Sequence, residues 1–152
     1  MKTSMKDALL LENKKAKLRY AEVASYSAGL ELTGTEAKSL RAKNGSLDGA
    51  RVIVRGGEAY LAGMTIPPYQ SANAKGYDPE RPRRLLLKKE EIAELADAES
   101  KKGLTIVPFE VYNNRYVKAR IAVVRGKGKS DKREDLKKRD AKREAERVLK
   151  RR

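Results

Sequence analysis

The chain has 152 residues, enough for one domain with a modest core and an appended segment. Its 36 basic and 21 acidic side chains leave a formal charge of +15, which points to a polyanionic partner, nucleic acid or an acidic membrane face. Without Cys or His there is no disulfide frame, thiol nucleophile or zinc knuckle, and the commonest general base and metal ligand is missing, so neither an enzyme nor a bound cofactor or metal is expected.

Residues 1–15 are polar apart from 8–11 and read as a loose arm or short helix. The apolar run 8–11 is too short for a signal-peptide core and nothing approaches a membrane span, so a cytoplasmic protein without a membrane partner is expected. Residues 17–26 are strand-like, with Tyr20, Val23 and Tyr26 as the larger side chains, and Gly29 turns the chain into a second short strand at Leu30-Glu31-Leu32. Thr33-Gly34-Thr35-Glu36 satisfies the Thr-x-x-Glu capping box, which predicts a helix to Leu40 or Arg41, and Asn44-Gly45 and Asp48-Gly49 break it.

Residues 51–55 alternate in part, and Gly56-Gly57 makes a hairpin into 58–66. Residues 67–84 hold four prolines, Gly76 and the cations Lys75, Arg81, Arg83 and Arg84, the composition of a long surface loop. Leu85-Leu86-Leu87 returns to the core. Residues 88–102 predict a helix with Ile92, Leu95 and Ala96 inward and Gly103 as its stop. A last hairpin, 104–112 with 116–124, turns around Asn113-Asn114.

This tally is mainly β: six short antiparallel strands and two helices, without the alternation that builds a parallel sheet. Closing six such strands into a barrel would remove their exposed edges, which gives a barrel domain over 1–125 with flanking helices. After Val124 the character changes. Residues 125–152 hold 14 basic and 6 acidic side chains, and Leu136, Ala141, Ala145, Val148 and Leu149 form only a thin apolar stripe. High helix propensity with so little apolar area predicts a basic C-terminal tail over 126–152, disordered when free and helical along a polyanion. Gly128-Lys129-Ser130 matches the end of a nucleotide-binding loop. The motif needs a further glycine five residues before Gly128, however, and that position is Val123. No nucleotide loop is expected there, and the stretch needs another explanation.

Four blocks occur in order: Asn13-Lys14-Lys15-Ala16; Ala28-Gly29-Leu30-x-Leu32-x-Gly34-Thr35-Glu36-Ala37-Lys38-Ser39-Leu40-Arg41; Arg83-Arg84-Leu85-Leu86-Leu87; and Gly126-Lys127 followed by Asp131-Lys132-Arg133. Together they resemble the SmpB (small protein B) family, from Glu12 to the end of the chain. The resemblance implies a six-stranded antiparallel barrel of the oligonucleotide-binding (OB) type. It implies a monomer that binds the tRNA-like domain of transfer-messenger RNA (tmRNA, SsrA) and delivers it to stalled ribosomes for trans-translation. The basic tail would reach from the decoding site of the small subunit into the empty mRNA channel. The chain departs from the family pattern at Ser27, usually acidic, at Gly128, and at Ser130, usually aromatic or His.

The resemblance links Asn13 and Leu86 to RNA binding and places Glu36, Lys38 and Arg41 in the signature block. Charge alone adds Lys14, Lys15, Lys17 and Arg19 at the entry to the barrel, Lys43 after the short helix, and Arg81, Arg83 and Arg84 in the loop, as cations for phosphates. Tyr69 and Tyr77 are candidate stacking residues, while Tyr20, Tyr26, Tyr60, Phe109, Tyr112 and Tyr116 read as core or sheet face. In the tail, Gly126, Lys127, Lys129, Ser130, Asp131, Lys132, Arg133, Lys137, Lys138 and Arg139 are the expected ribosome contacts. A generic basic OB-type RNA-binding or ribosomal protein would share the charge and fold but not the ordered blocks.

Overall fold

The computed structural model describes residues 8–70 and 74–127, together with 139, 142 and 143. Its elements in chain order are β1 (Ala8–Glu12), α1 (Lys14–Arg19), β2 (Tyr20–Leu30), α2 (Gly34–Arg41), β3 (Arg51–Arg55), β4 (Glu58–Ala62), β5 (Arg83–Leu86), α3 (Lys89–Ser100), β6 (Leu104–Asn114) and β7 (Tyr116–Gly126). All seven strands belong to one antiparallel sheet in the order β1-β6-β7-β2-β5-β4-β3.

Two expectations change here. The sheet has seven strands rather than six: residues 8–12, expected as an arm, pair with β6, residues 83–86, expected as loop and return to the core, pair with β2 and β4, and the two strands expected at 17–26 and 30–32 are one. The sheet is also an open ladder, with β1 and β3 at its edges, rather than a closed barrel. The sheet curls until β3 packs against β6, leaving a seam there without ladder bonds among the described residues.

A third change concerns the first strand. Asn13 caps a helix by accepting from the Ala16 N–H at 3.2 Å, so Lys14–Arg19 is helical and the strand starts at Tyr20. It then runs unbroken to Leu30 and absorbs Gly29, which is not a turn. A Cβ at Gly29 would lie 3.2 Å from Leu86 Cβ, so glycine there permits close approach to the neighbouring strand.

Local signals are realised where they were expected. Thr33 and Glu36 form the capping box of α2. Gly56 and Gly57, at φ 60° and 76°, supply the two left-handed residues that a tight hairpin turn between β3 and β4 demands. The last hairpin forms but its turn shifts: Asn113 and Asn114, expected as the turn, pair with Val117 and Tyr116 in the ladder, and Arg115 at φ 59° makes the turn.

The main core fills the curl. Leu30, Leu40, Leu61, Met64, Ile66, Leu85, Leu95, Ile106, Val111 and Ile121 are buried there, each contributing about 1.5–3 kcal/mol. A second cluster of Ala16, Val107, Phe109, Ala122 and Val124, with Tyr20 against it, seats α1 on the outer face of the sheet. Between these clusters the run Ile121-Ala122-Val123-Val124 is buried on both faces. Among the described residues no helix is long and apolar enough to cross a membrane.

Candidate nucleic-acid interface

The β2–β7 ladder separates two cationic ends. At one end, Gly29 of β2 pairs with both Leu86 and Lys118. At the other, Tyr20 pairs with Gly126.

The first end is organised by a buried carboxylate. Glu36, 1% exposed, accepts from Arg81 Nη2 at 2.6 Å and Arg83 Nε at 2.8 Å, and also from the Thr33 N–H at 2.9 Å. Burial pushes this carboxyl up, but the bonds from Arg81, Thr33 and Arg83 outweigh it and hold it below the usual carboxylate range. Arg83 is wholly buried and also donates to the carbonyls of Met64 at 2.7 Å and Pro79 at 3.0 Å. Tyr77 donates its hydroxyl to the Ile66 carbonyl, and Ser39 donates to the Pro67 carbonyl. These bonds fasten the β4–β5 connection to α2, whose outer side carries Lys38 and Arg41.

Beside α2 lies an open groove of about 380 Å³, whose lining includes Leu32, Arg41, Leu86, Tyr116 and Lys118. Leu86 is 48% exposed and Tyr116 67%. Nearby, the Lys38 ammonium lies 6.0 Å from the centroid of the exposed Tyr69 ring, at the outer limit of a cation–π contact. The groove therefore joins apolar and aromatic surface with cations, the combination that takes unpaired bases and their phosphates.

At the second end, α1 exposes Lys14, Lys15 and Arg19. Lys17 is half-buried between Glu12 at 3.0 Å and Glu110 at 2.9 Å. Glu110 also meets Arg120 at 2.8 Å, and Arg120 pairs with Glu22 and stacks on Phe109. Burial raises the Glu110 carboxyl, and Arg120 and Lys17 bring it down below its ordinary value. The start of the tail is tied to this helix: the Lys127 N–H donates to the Arg19 carbonyl at 3.1 Å and its Nζ to the Lys17 carbonyl at 3.3 Å. Both acceptors lie in the last turn of α1, where carbonyls lack intrahelical donors.

The expected RNA-binding residues therefore divide. Lys14, Lys15, Lys38, Arg41 and Leu86 are on the surface, while Lys17 and the half-buried Arg84, paired with Glu31 at 3.2 Å, are partly engaged. Direct contact gives way to a supporting role for three. Asn13, 3% exposed, donates to the Leu47 and Pro108 carbonyls as well as capping α1, and Glu36 and Arg83 are interior. Two aromatic assignments change as well: Tyr77 is tied into the loop by its hydroxyl, and Tyr116 is exposed. Tyr116 and Lys118 were legible from the alternation Tyr116-Val117-Lys118-Ala119-Arg120-Ile121, whose apolar members face the core. In the tail, Gly126 ends β7, Lys127 bonds to α1, and Arg139 is exposed and helical. Lys129, Ser130, Asp131, Lys132, Arg133, Lys137 and Lys138 lie outside the described residues.

Comparison with known proteins gives a consistent result. The family model described as "SmpB protein" matches residues 10–151. An SsrA-binding protein of Thermosipho africanus is 44% identical over 145 residues, covering 94% of this chain and 97% of the relative. The SsrA-binding protein of Lactiplantibacillus plantarum is 43% identical over 145 residues, covering 95% and 93%. A chain of the solved structure "tmRNA-SmpB: a journey to the center of the bacterial ribosome" is 39% identical, with a TM-score of 0.65 over 83% of this chain and 93% of that one.

Proposed function

Because the chain belongs to the SmpB family, we propose that it binds tmRNA with the α2–Leu86–Tyr116 end of its sheet and delivers it to stalled ribosomes for trans-translation. The observation that carries this reading is the groove in which Leu86 and Tyr116 stay exposed between Arg41 and Lys118. A monomer gains nothing in stability from leaving a leucine and a tyrosine half-solvated side by side. An RNA with splayed loop bases would cover them, and the flanking cations would take its phosphates. On this reading the tRNA-like domain is recognised by shape and unpaired bases, with no covalent chemistry asked of the protein. The curled sheet is a partly open relative of the OB barrel, working in the cytoplasm.

The tail begins at the opposite end of the ladder from the groove, so tmRNA can be held without occupying it. Its high helix propensity and positive charge suit folding along ribosomal RNA in a message channel left empty. The test is competition binding of tmRNA against bulk tRNA. Leu86→Asp with Tyr116→Ala should lower tmRNA affinity by about 1–3 kcal/mol and leave the unfolding midpoint unchanged. A double variant that binds tmRNA as tightly as the parent would sink the assignment of this face. A parent that does not distinguish tmRNA from bulk tRNA would leave only a generic basic RNA-binding protein.

A further inference from the structure

At the seam where β3 packs against β6, α1 roofs a cleft of about 210 Å³ whose lining includes Asn13, Lys15, Arg19, Tyr20, Arg51 and Thr105. Three cations thus converge from two elements remote in sequence, α1 and β3. Arg19 and Arg51 have no ion-pair partner among the described residues, whereas Arg55, Arg81, Arg83, Arg84 and Arg120 each hold a carboxylate. Lys15 has only the exposed Asp48, at 3.6 Å. Of the ten arginines in residues 1–125 five hold a carboxylate; of the other five, Arg19 and Arg51 line one cleft together with Lys15, and this convergence marks a place for an external anion. The volume is below the roughly 300 Å³ at which small-molecule pockets begin, so a single phosphate group is a better fit than a nucleotide.

We propose that this cleft is a second phosphate site, which takes a backbone phosphodiester of ribosomal RNA. The inference rests on the function proposed above and adds where the body, as distinct from the tail, touches the ribosome. Two geometric facts select ribosomal RNA over tmRNA. The cleft lies at the Tyr20 end of β2 and the Leu86 groove at the Gly29 end, and an eleven-residue strand spans about 30 Å. The Arg19 carbonyl also accepts from the Lys127 N–H at the base of the tail, so RNA reached by the tail passes beside the cleft. Planar guanidinium groups on its two sides can each offer paired N–H donors to phosphate oxygens.

The experiment uses the full chain with Arg19→Gln and Arg51→Gln together, and with both replaced by Lys. Two affinities are measured across a salt series: protein for tmRNA, and the protein–tmRNA complex for small ribosomal subunits without message. The Gln pair should bind tmRNA within twofold of the parent and lose about tenfold on the subunits. Its plot of log K against log salt should flatten by roughly 0.7–0.9, the loss of one phosphate contact. The Lys pair should keep the parent's salt slope and recover only part of the affinity, because a point charge lacks the planar fork. An equal loss on tmRNA overturns the choice of ribosomal RNA, and unchanged subunit binding by the Gln pair overturns the site itself. If the parent complex does not bind subunits at all, the proposed function fails along with it.

Discussion

Arg83 and Glu36 form an ion pair of 2.7 Å in which neither side chain reaches solvent, joining β5 to the first turn of α2. Both charges are desolvated, so each depends on the other. Arg83→Ala strips Glu36 of its buried partner and should cost about 3–5 kcal/mol in urea unfolding. Exchanging the pair for Gln and Met should recover much of that loss. A small effect of Arg83→Ala would mean that the network is solvated.

The same carboxylate fixes a pH dependence. Its folded pKa lies below the unfolded value, so in acid the unfolded chain binds the proton more readily. The contribution of Glu36 is therefore complete above the unfolded carboxylate pKa, about 4.3, and is lost as pH falls through the folded one. Unfolding midpoints measured across this window should fall steeply for the parent and more gently for Glu36→Gln. Parallel curves would contradict the assignment.

Asn13 donates to Leu47, which leads into β3, and to Pro108 of β6, so one side-chain amide staples the two sides of the seam. Asn13→Asp keeps the cap acceptor but turns a carboxylate toward two carbonyls. It should be less stable than the parent by about 1–3 kcal/mol, with faster amide exchange in β3. If Asn13→Asp matches the parent in both readouts, the capping bond alone explains the residue.

Tyr26 donates to Glu94 of α3 at 2.6 Å. That bond, with burial and the charges of Glu94 and Glu91, pushes the Tyr26 phenol up to about 12. Ultraviolet titration of the parent against Glu94→Gln should show one tyrosine moving toward the ordinary value near 10. A raised pKa protects the fold below the unfolded value and loses that protection as pH climbs through the folded one, so the variant should lose less stability in strong alkali.

Cutting the chain at two nearby points tests the tail's attachment. A fragment ending at Lys127 keeps both of that residue's bonds to α1, whereas one ending at Arg125 loses them and the Tyr20–Gly126 pairing. The shorter fragment should be less stable by about 1–3 kcal/mol, a few hydrogen bonds' worth, and should exchange its α1 amides faster. Equal stabilities would show that the fold ends at residue 125.

Features encoded by neighbouring residues were legible in the sequence: the Thr33–Glu36 capping box, the Gly56-Gly57 hairpin, α3 and the last hairpin. Those that depend on distant partners were not. Residues 8–12 are a strand only because the outer edge of β6 is available, and α1 is too short for a periodic pattern to announce it. The cations were countable but not sortable. Arg83 and Arg84 are adjacent in sequence, yet strand alternation buries the first and leaves the second half-exposed. Leu86 falls in a run of three leucines that suggests core throughout, and the same alternation turns it outward between buried Leu85 and partly buried Leu87. Glu36 was legible as a capping residue, but its burial was not, because its partners Arg81 and Arg83 lie 45 and 47 residues away.

β2 acts as a measuring rod. It fixes the distance between the face proposed for tmRNA and the cleft proposed for the ribosome, and that distance cannot be adjusted gradually. Removing one residue from its middle would shorten the rod by about 3.3 Å and also turn every later side chain to the opposite face. Ala28 would then leave the core, and Gly29 would leave its place against Leu86. Away from the bulge at Val23, where β2 already carries one residue more than β7, only paired insertions or deletions, matched in β7, keep both ends facing as they do. Along the regular part of the strand, the distance between the two proposed faces can therefore change only in steps of about 7 Å, a coarse setting that makes the present length hard to alter by small mutation.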